Sequence, residues 1–360
     1  MKAWGGQDEA GPRDDREAKL KALEEAGVDL DPTGDHDHDH DHDDGDPDHP
    51  HAHDATPHSH PHVQSQAGEP PVIGIVGAGA VGTALGVALD RAGWRIHAVA
   101  SRDPERRARF RSLVPGVRAF ADAPPLVEEV ELIILAVPDD AVRRVAGGLH
   151  MYGGQAMIHT SGLLGADALA GAMAAGTQVG SFHPLVAFAD LERAVAALHG
   201  ATVAIEGDDQ LVDLLARMAE ALGATPVRLA PGAKPVYHAA AVLAAGGFDA
   251  LLDAITELGR AAGLDEAGSL AIYGPLIEQT LANARELGIA AALTGPAVRG
   301  DKGTVAAHVA ALERAAPSVV SLYKILAERE ITIAESRGAL TPEAAADLRS
   351  VASSVLASTD

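Results

Sequence analysis

The stretch that decides the fold is Val72-Ile73-Gly74-Ile75-Val76-Gly77-Ala78-Gly79-Ala80-Val81-Gly82. Its first five residues are apolar and mostly β-branched, the composition of a short strand covered on both faces. The spacing Gly-x-Gly-x-x-Gly follows at once, and a helix-compatible run continues from Val81 to Arg91. A glycine turn between a strand and a helix is the arrangement that binds a dinucleotide. Gly77 permits the tight turn, Gly79 lets backbone approach a pyrophosphate, and Gly82 lets the helix pack closely on the strand. The amides of Ala80, Val81 and Gly82 open the helix and present N–H groups and a partial positive charge to phosphate. A ligand-free strand-to-helix turn is the alternative.

Working outward, apolar runs alternate with helical ones. Strands are expected at Trp94–Ala100, Glu131–Val137, Ala156–His159, Gln178–Ser181, Thr202–Ile205 and Pro226–Leu229, with a helix at Pro104–Ser112. Such alternation implies right-handed crossovers and a doubly wound, mostly parallel sheet. The second strand closes on Ala100-Ser101-Arg102 with no carboxylate at its end. An acid there binds a ribose 2′-hydroxyl, whereas Ser101 and Arg102 suit a 2′-phosphate, so NADP(H) is expected over NAD(H). The turn after the next strand, Ala136-Val137-Pro138, lies at the sheet edge where ligands bind and is expected to line the cofactor.

After Lys234 the alternation stops. From Tyr237 to Leu356 the chain is rich in alanine and leucine at helical spacing, broken near Gly263, Gly288, Gly295-Pro296 and Thr341-Pro342. The expected organisation is a tail over residues 1–70, a Rossmann-like domain over 71–233 and a helical domain over 234–357.

Composition narrows the chemistry. The chain of 360 residues has no cysteine, which removes disulfides and thiol catalysis and fits a reducing compartment. Its formal charge of −23 argues against nucleic acid and anionic lipid as partners. Residues 1–70 hold 5 Lys and Arg against 19 Asp and Glu, so this segment carries −14 and leaves −9 for the rest. A short charged helix is expected over Arg13–Ala26. The segment then becomes low in complexity, with His36, His38, His40 and His42 alternating with aspartates, and reads as a disordered tail. Those imidazoles can hold a divalent metal loosely, or the tail merely solubilises the protein. The N-terminus lacks the apolar core of a signal peptide, and no run reads as long and apolar enough to span a bilayer. A soluble cytoplasmic protein is expected.

Four further segments carry polar groups that a fold alone does not require: His159-Thr160-Ser161-Gly162, Ser181-Phe182-His183-Pro184-Leu185, Lys234-Pro235-Val236-Tyr237-His238-Ala239-Ala240, and Leu293-Thr294-Gly295-Pro296-Ala297-Val298-Arg299-Gly300-Asp301. With the glycine turn they resemble the family that joins a Rossmann-like domain to the domain of unknown function 2520. That family lies within the superfamily of 6-phosphogluconate dehydrogenase, β-hydroxyacid dehydrogenases and pyrroline-5-carboxylate reductase. The resemblance covers nearly everything after Pro71. It implies an all-α C-terminal domain like that of 6-phosphogluconate dehydrogenase, a homodimer formed through it, and catalysis between the domains.

Each segment has two readings. Ser161 and Gly162 end a strand where the superfamily contacts substrate, or they form a plain turn. His183, set before a proline and after a strand, can donate a proton or hydrogen-bond a substrate, or it is structural. Lys234 matches the lysine that β-hydroxyacid dehydrogenases use as general acid or base, or it is a solvated helix-start lysine. His238, one helical turn later, stands where those enzymes have asparagine and shares a face with Lys234. Ala244-Ala245-Gly246-Gly247 then lacks the polar residue the family shows. Thr294 and Arg299 resemble a substrate-carboxylate loop, with Thr304 as cap of the following helix, or simply connect two helices. The expected function is NADP(H)-dependent hydride transfer to or from a small anionic carbonyl, hydroxyl or imine compound such as a short keto acid. The alternatives are a non-catalytic NADP(H) sensor and a metal-binding protein acting through its tail.

Overall fold

The computed structural model describes residues 69–173 and 177–353. Within it the chain forms two compact units that divide between Ala241 and Val242. The first is a single eight-stranded sheet with strand order β3-β2-β1-β4-β5-β6-β7-β8. Its strands are β1 (Ile73–Val76), β2 (Ile96–Ala100), β3 (Arg118–Phe120), β4 (Leu132–Leu135), β5 (Ala156–His159), β6 (Gln178–Pro184), β7 (Thr202–Gly207) and β8 (Thr225–Arg228). All neighbours pair parallel except β6 and β7. The doubly wound, mostly parallel sheet expected from the alternation is the fold observed.

The connecting helices are α1 (Ala80–Arg91), α2 (Pro104–Leu113), α3 (Asp139–Gly147), α4 (Leu191–Leu198) and α5 (Asp209–Ala221). Alternate strand residues feed two cores. Ile73, Ile75, Leu132, Ile134 and Ile158 pack with α1, α2, α4 and α5 on one face. Val76, Ile133, Leu135, Met157 and Val179 pack with α3 and the helical turns at Pro124–Val127 and Ala166–Met173 on the other. Burial on both faces explains why these strands read as continuous apolar runs rather than alternating ones.

Two features differ from the sequence expectation. The three-residue β3 carries Arg118 at its exposed start and offers no apolar run to detect. Residues Ser181–Pro184 belong to β6 itself rather than following it, so His183 is a strand residue. The antiparallel pairing with β7 extends β6 past the point where its parallel neighbour β5 ends.

Helix α6 (Lys234–Ala244) belongs to the first unit up to Ala241. The second unit is all helical, with α7 (Gly246–Ala261), α8 (Glu266–Leu287), α9 (Lys302–Ala315), α10 (Val320–Ser336) and α11 (Pro342–Ser353). Val305, Ile331, Ala334, Leu340, Ala345 and Leu348 form its larger core.

The expectation that no run suffices to cross a membrane is corrected here. Lys234–Ala261 is 28 residues of helix whose length and composition pass that test, although little of it is buried. Alanine and glycine dilute its charges, and the backbone bends at Ala245 (φ −110°, ψ −89°), which divides α6 from α7. The helix expected at Arg13–Ala26 and the histidines His36, His38, His40 and His42 lie outside the described residues. Among the described residues no group of three or more His, Cys, Asp or Glu is placed to hold a metal ion.

Candidate active site

Sheet register places the polar groups of the first unit in one row. Val76 pairs with Leu135, Leu135 with His159, His159 with Ser181, and Ser181 with Glu206. The glycine turn leaves β1 at one end of this row, and the segments around Ser161 and His183 lie two and three strands away. Strands sit about 4.8 Å apart, so the turn and His159 are separated by roughly 10 Å along the edge.

At the turn, Gly77 has φ +112°, and a Cβ there would lie 2.2 Å from the Ala136 carbonyl oxygen. A Cβ on Gly82 would lie 2.0 Å from the Gly77 carbonyl oxygen. Glycine is required at both positions, one by dihedral and closeness together and the other by closeness alone. Gly79 is the N-cap of α1, no side chain caps that helix, and its first turn carries no acid. The amides that open α1 therefore have no side-chain acceptor; Ala80 is exposed and Val81 half-buried, whereas Gly82 is buried. A cavity of about 430 Å³ adjoins them, walled by Gly77, Gly79, Ser101, Arg102, Ala136, Val137 and Pro138, all expected from the sequence.

Arg106 and Arg144 also line this cavity and were not singled out in the sequence. Arg106 lies in the first turn of α2, just past the N-cap Asp103, and its Nη1 lies 3.9 Å from where a Gly79 Cβ would be. Asp103, the nearest acid to the strand end, also lines the cavity, but its carboxylate is engaged by α2. Its carboxylate accepts the amides of Glu105 (2.9 Å) and Arg106 (3.2 Å), capping α2, and it pairs with the Arg106 guanidinium at 3.3 Å.

At the other end of the row, Lys234 is 1% exposed, which rules out the solvated-lysine reading. Its Nζ donates to the Ser161 carbonyl at 2.6 Å and to Ser181 Oγ at 2.9 Å. Burial pulls the ammonium down to about 8, against partial support from the charges of Glu206 and Asp139. Ser161 is held from every side. Its amide donates to His159 Nδ1 at 3.2 Å, and its Oγ accepts the amides of Leu163 (3.1 Å) and Leu164 (3.0 Å). His159 Nε2 lies 2.9 Å from the Gly165 carbonyl, which can only accept. The ring is thus the neutral tautomer with its proton on Nε2. Burial lowers His159 to about 4.

Gly162 faces two further rings. A Cβ there would lie 2.3 Å from His238 Nδ1 and 2.7 Å from His183 Nε2. The rings of His183 and His238 meet edge to face at 5.6 Å, and Tyr237 approaches His183 in the same way at 5.8 Å. Burial first, and then the Lys234 charge, holds His183 near 4. Burial alone pushes Tyr237 up to about 12. His183 Nδ1, His238 Nδ1, Tyr237 Oη and Glu206 Oε2 are all buried without a hydrogen-bond partner. The three ring groups, His183, His238 and Tyr237, adjoin one another with unmet polar atoms, the pattern of a site able to receive a polar ligand.

Lys234, His238, His183, Ser161 and Gly162 are thus brought together. His159, Ser181, Glu206 and Tyr237 join them, although sequence reasoning gave none of the four a role. Thr294 and Arg299 lie in the second unit and are exposed. There the helix cap is Asp301, whose carboxylate accepts the Thr304 amide (3.0 Å) and hydroxyl (2.7 Å), so Thr304 is the capped residue and not the cap.

Comparisons with known proteins agree with this geometry. Comparison with proteins of curated function returns no match. A Bacteroides fragilis protein assigned as an NADP oxidoreductase is 24% identical, with a TM-score of 0.60 over 73% of this chain and 98% of its own. A Thermotoga maritima protein is 26% identical, with a TM-score of 0.58 over 74% and 100%. An Aspergillus terreus reductive aminase, solved with NADPH and ethyl levulinate, is 18% identical, with a TM-score of 0.54 over 78% and 99%. The Rossmann-like domain model matches residues 59–184, and that of the domain of unknown function 2520 matches residues 201–330. The chain therefore belongs to the proteins that join a Rossmann-like domain to the domain of unknown function 2520.

Proposed function

We propose that this protein is an NADP(H)-dependent oxidoreductase acting on a small anionic carbonyl, hydroxyl or imine compound. The observation that carries the reading is the shared row. One edge of one sheet holds both an uncapped glycine turn beside an arginine-lined cavity and a buried lysine among unpartnered imidazoles. The residues fit the cofactor, since Gly79 lines the cavity with only Arg106 Nη1 within 4 Å of where its Cβ would stand, and no side chain caps α1. Ser101, Arg102 and Arg106 suit a 2′-phosphate, and Asp103 is committed to its helix cap. NADP(H) would supply or take up the hydride when bound.

The chain's own groups handle the proton. Lys234 holds it at Nζ, with one N–H left over after Ser161 and Ser181 are served, and delivers it to the substrate atom that gains charge. His183 is neutral at pH 7 and presents Nε2 toward the space over Gly162 that His238 Nδ1 also faces. An anionic substrate is favoured because both hydrogen-bond acceptors of the ammonium are neutral oxygens, with Glu206 and Asp139 acting on it only from a distance.

Val242, Leu243, Ile272, Leu276 and Leu281 are exposed apolar side chains of the second unit, and we assign their burial to a second copy of the chain. Sedimentation showing a monomer at micromolar concentration would remove that assignment.

Calorimetric titration with NADPH and then NADH tests the cofactor. Binding of NADPH that weakens in Arg102→Ala supports the reading, and no binding of either nucleotide at millimolar concentration ends it. Reduction of short keto acids and cyclic imines, abolished in Lys234→Ala, tests the reaction. The deep burial of Lys234 favours one rival, a sensor that binds NADP(H) without turnover. Tight NADPH binding with no reduction across that panel would select it.

A further inference from the structure

The Lys234 ammonium is buried, and among the described residues it forms no salt bridge. Its two acceptors, the Ser161 carbonyl and Ser181 Oγ, are neutral. An ammonium removed from water without a counter-ion is costly, so a nearby carboxylate has a large effect on whether it keeps its proton. Ser181 is 0% exposed. Having accepted from Nζ, its hydroxyl still carries one proton that must find an acceptor inside the protein.

The register supplies that acceptor. In the antiparallel β6–β7 pair, Ser181 stands directly opposite Glu206. Side chains of such a pair emerge on the same face, with Cβ atoms about 4.5–5.5 Å apart. Glu206 uses Oε1 to accept the Ala166 amide at 3.2 Å, while its Oε2 is buried with no partner. The unmet donor and the unmet acceptor are cross-strand neighbours that are not hydrogen-bonded as the side chains stand, and a change in the Glu206 side-chain torsions is what would join them.

We propose that Glu206 is a positioning residue that acts through the Ser181 hydroxyl to hold the proton on Lys234. The other ionisable groups facing Lys234 are Asp139 at the start of α3, His159 on β5, His183 on β6 and His238 on α6. Of these only His159 is also a cross-strand neighbour of Ser181, and both of its ring nitrogens are already engaged, Nδ1 by the Ser161 amide and Nε2 by the Gly165 carbonyl. The consequence for turnover rests on Lys234 carrying the proton in the proposed reaction, whereas the coupling itself does not.

The test follows the Lys234 side chain by NMR in full-length protein labelled with carbon-13 at the lysine ε position. Lys234→Arg identifies the signal, and no substrate or cofactor is present. In Glu206→Gln the amide oxygen still accepts the Ala166 N–H, while the negative charge is lost and a donating NH2 replaces the unpartnered oxygen. The titration midpoint is expected to fall by about one pH unit or more, a tenfold loss of proton affinity. Ser181→Ala is expected to shift it in the same direction, Glu206→Asp to restore part of the loss, and Asp139→Asn to move it less. Folded Glu206→Gln or Ser181→Ala protein that keeps the wild-type midpoint would overturn the proposal. Should Glu206→Gln fail to fold, Ser181→Ala and Glu206→Asp decide the matter alone. If the midpoint moves while the pH profile of turnover stays fixed, Glu206 is coupled to Lys234 as proposed and the role of Lys234 in turnover is what fails.

Discussion

The two ends of the sheet edge solve opposite physical problems. At the glycine turn, recognition is built from backbone: tight approaches at Gly77 and Gly82, an uncapped helix start, and exposed arginines that stay hydrated until a ligand arrives. At the His159–Ser181–Glu206 row it is built from buried side chains, whose polar atoms are either mutually satisfied or left waiting. Phosphate can be held by amides near solvent at little cost. A proton must be held by a group whose affinity burial has shifted, and that shift weighs on stability. The comparison yields a separation that experiments can break: variants at the turn should change cofactor binding, and variants in the row should change proton chemistry.

The largest effect is expected for Lys234→Ala. Removing a positioned general acid costs about 10²- to 10⁴-fold in turnover. Retained NADPH affinity in the same protein would sharpen the separation, and equal losses in binding and turnover would break it. Gly82→Ala is the matching variant at the other end. Its methyl would meet the Gly77 carbonyl oxygen at 2.0 Å, so the α1 start must shift. We expect destabilisation on the order of 3 kcal/mol, read as a lower thermal midpoint, together with loss of nucleotide binding. Gly162→Ala tests the row more gently. Its methyl displaces the His183 and His238 rings, whose side chains can move, so turnover should fall while the melting temperature changes little.

The same contrast explains what was legible in the sequence. The cofactor end is local: Gly77 to Arg102 spans one strand-helix-strand unit, and each residue's task follows from its place in that unit. Even the missed Arg106 lies in the first turn of the helix that follows Arg102. The row is not local. Lys234 reaches Ser161 across 73 positions and Ser181 across 53, and Glu206 enters only because β7 turns antiparallel to β6. No spacing rule links those residues. Lys234, His183 and His238 were named from a resemblance, whereas Ser181 and Glu206 needed the register and Tyr237 its ring contact with His183. β3 stayed hidden because a three-residue strand without buried residues leaves no periodic trace.

Acid should separate the two ends on a stability scale. His159 and His183 titrate near 4 in the folded chain against an ordinary 6.5, because burial disfavours the charged ring. Between those values the unfolded chain binds more protons, so stability rises with pH and is lost as pH falls from 6.5 to 4. The loss is on the order of 3 kcal/mol for fully buried His159 and less for half-buried His183. Denaturant unfolding at pH 7, 5.5 and 4 measures it. A His159→Gln variant should start less stable and show a flatter slope, while Arg102→Ala should leave the slope unchanged. Parallel slopes for wild type and His159→Gln would mean that the row does not carry the acid sensitivity.

The smallest effect belongs to the cofactor end. Arg102 is exposed, so removing it deletes a charge-assisted contact to a 2′-phosphate without opening the core, and Arg106 still lines the same cavity. Arg102→Ala should weaken NADPH binding about 10- to 100-fold, with NADH binding unchanged. The loss should shrink at high salt, because an exposed guanidinium is screened. A double variant that also replaces Arg106 should lose the NADPH preference altogether. If NADPH and NADH weakened equally in Arg102→Ala, the arginine would be holding the shared adenosine part of the cofactor, and the preference would have to come from Ser101 or Arg106 instead.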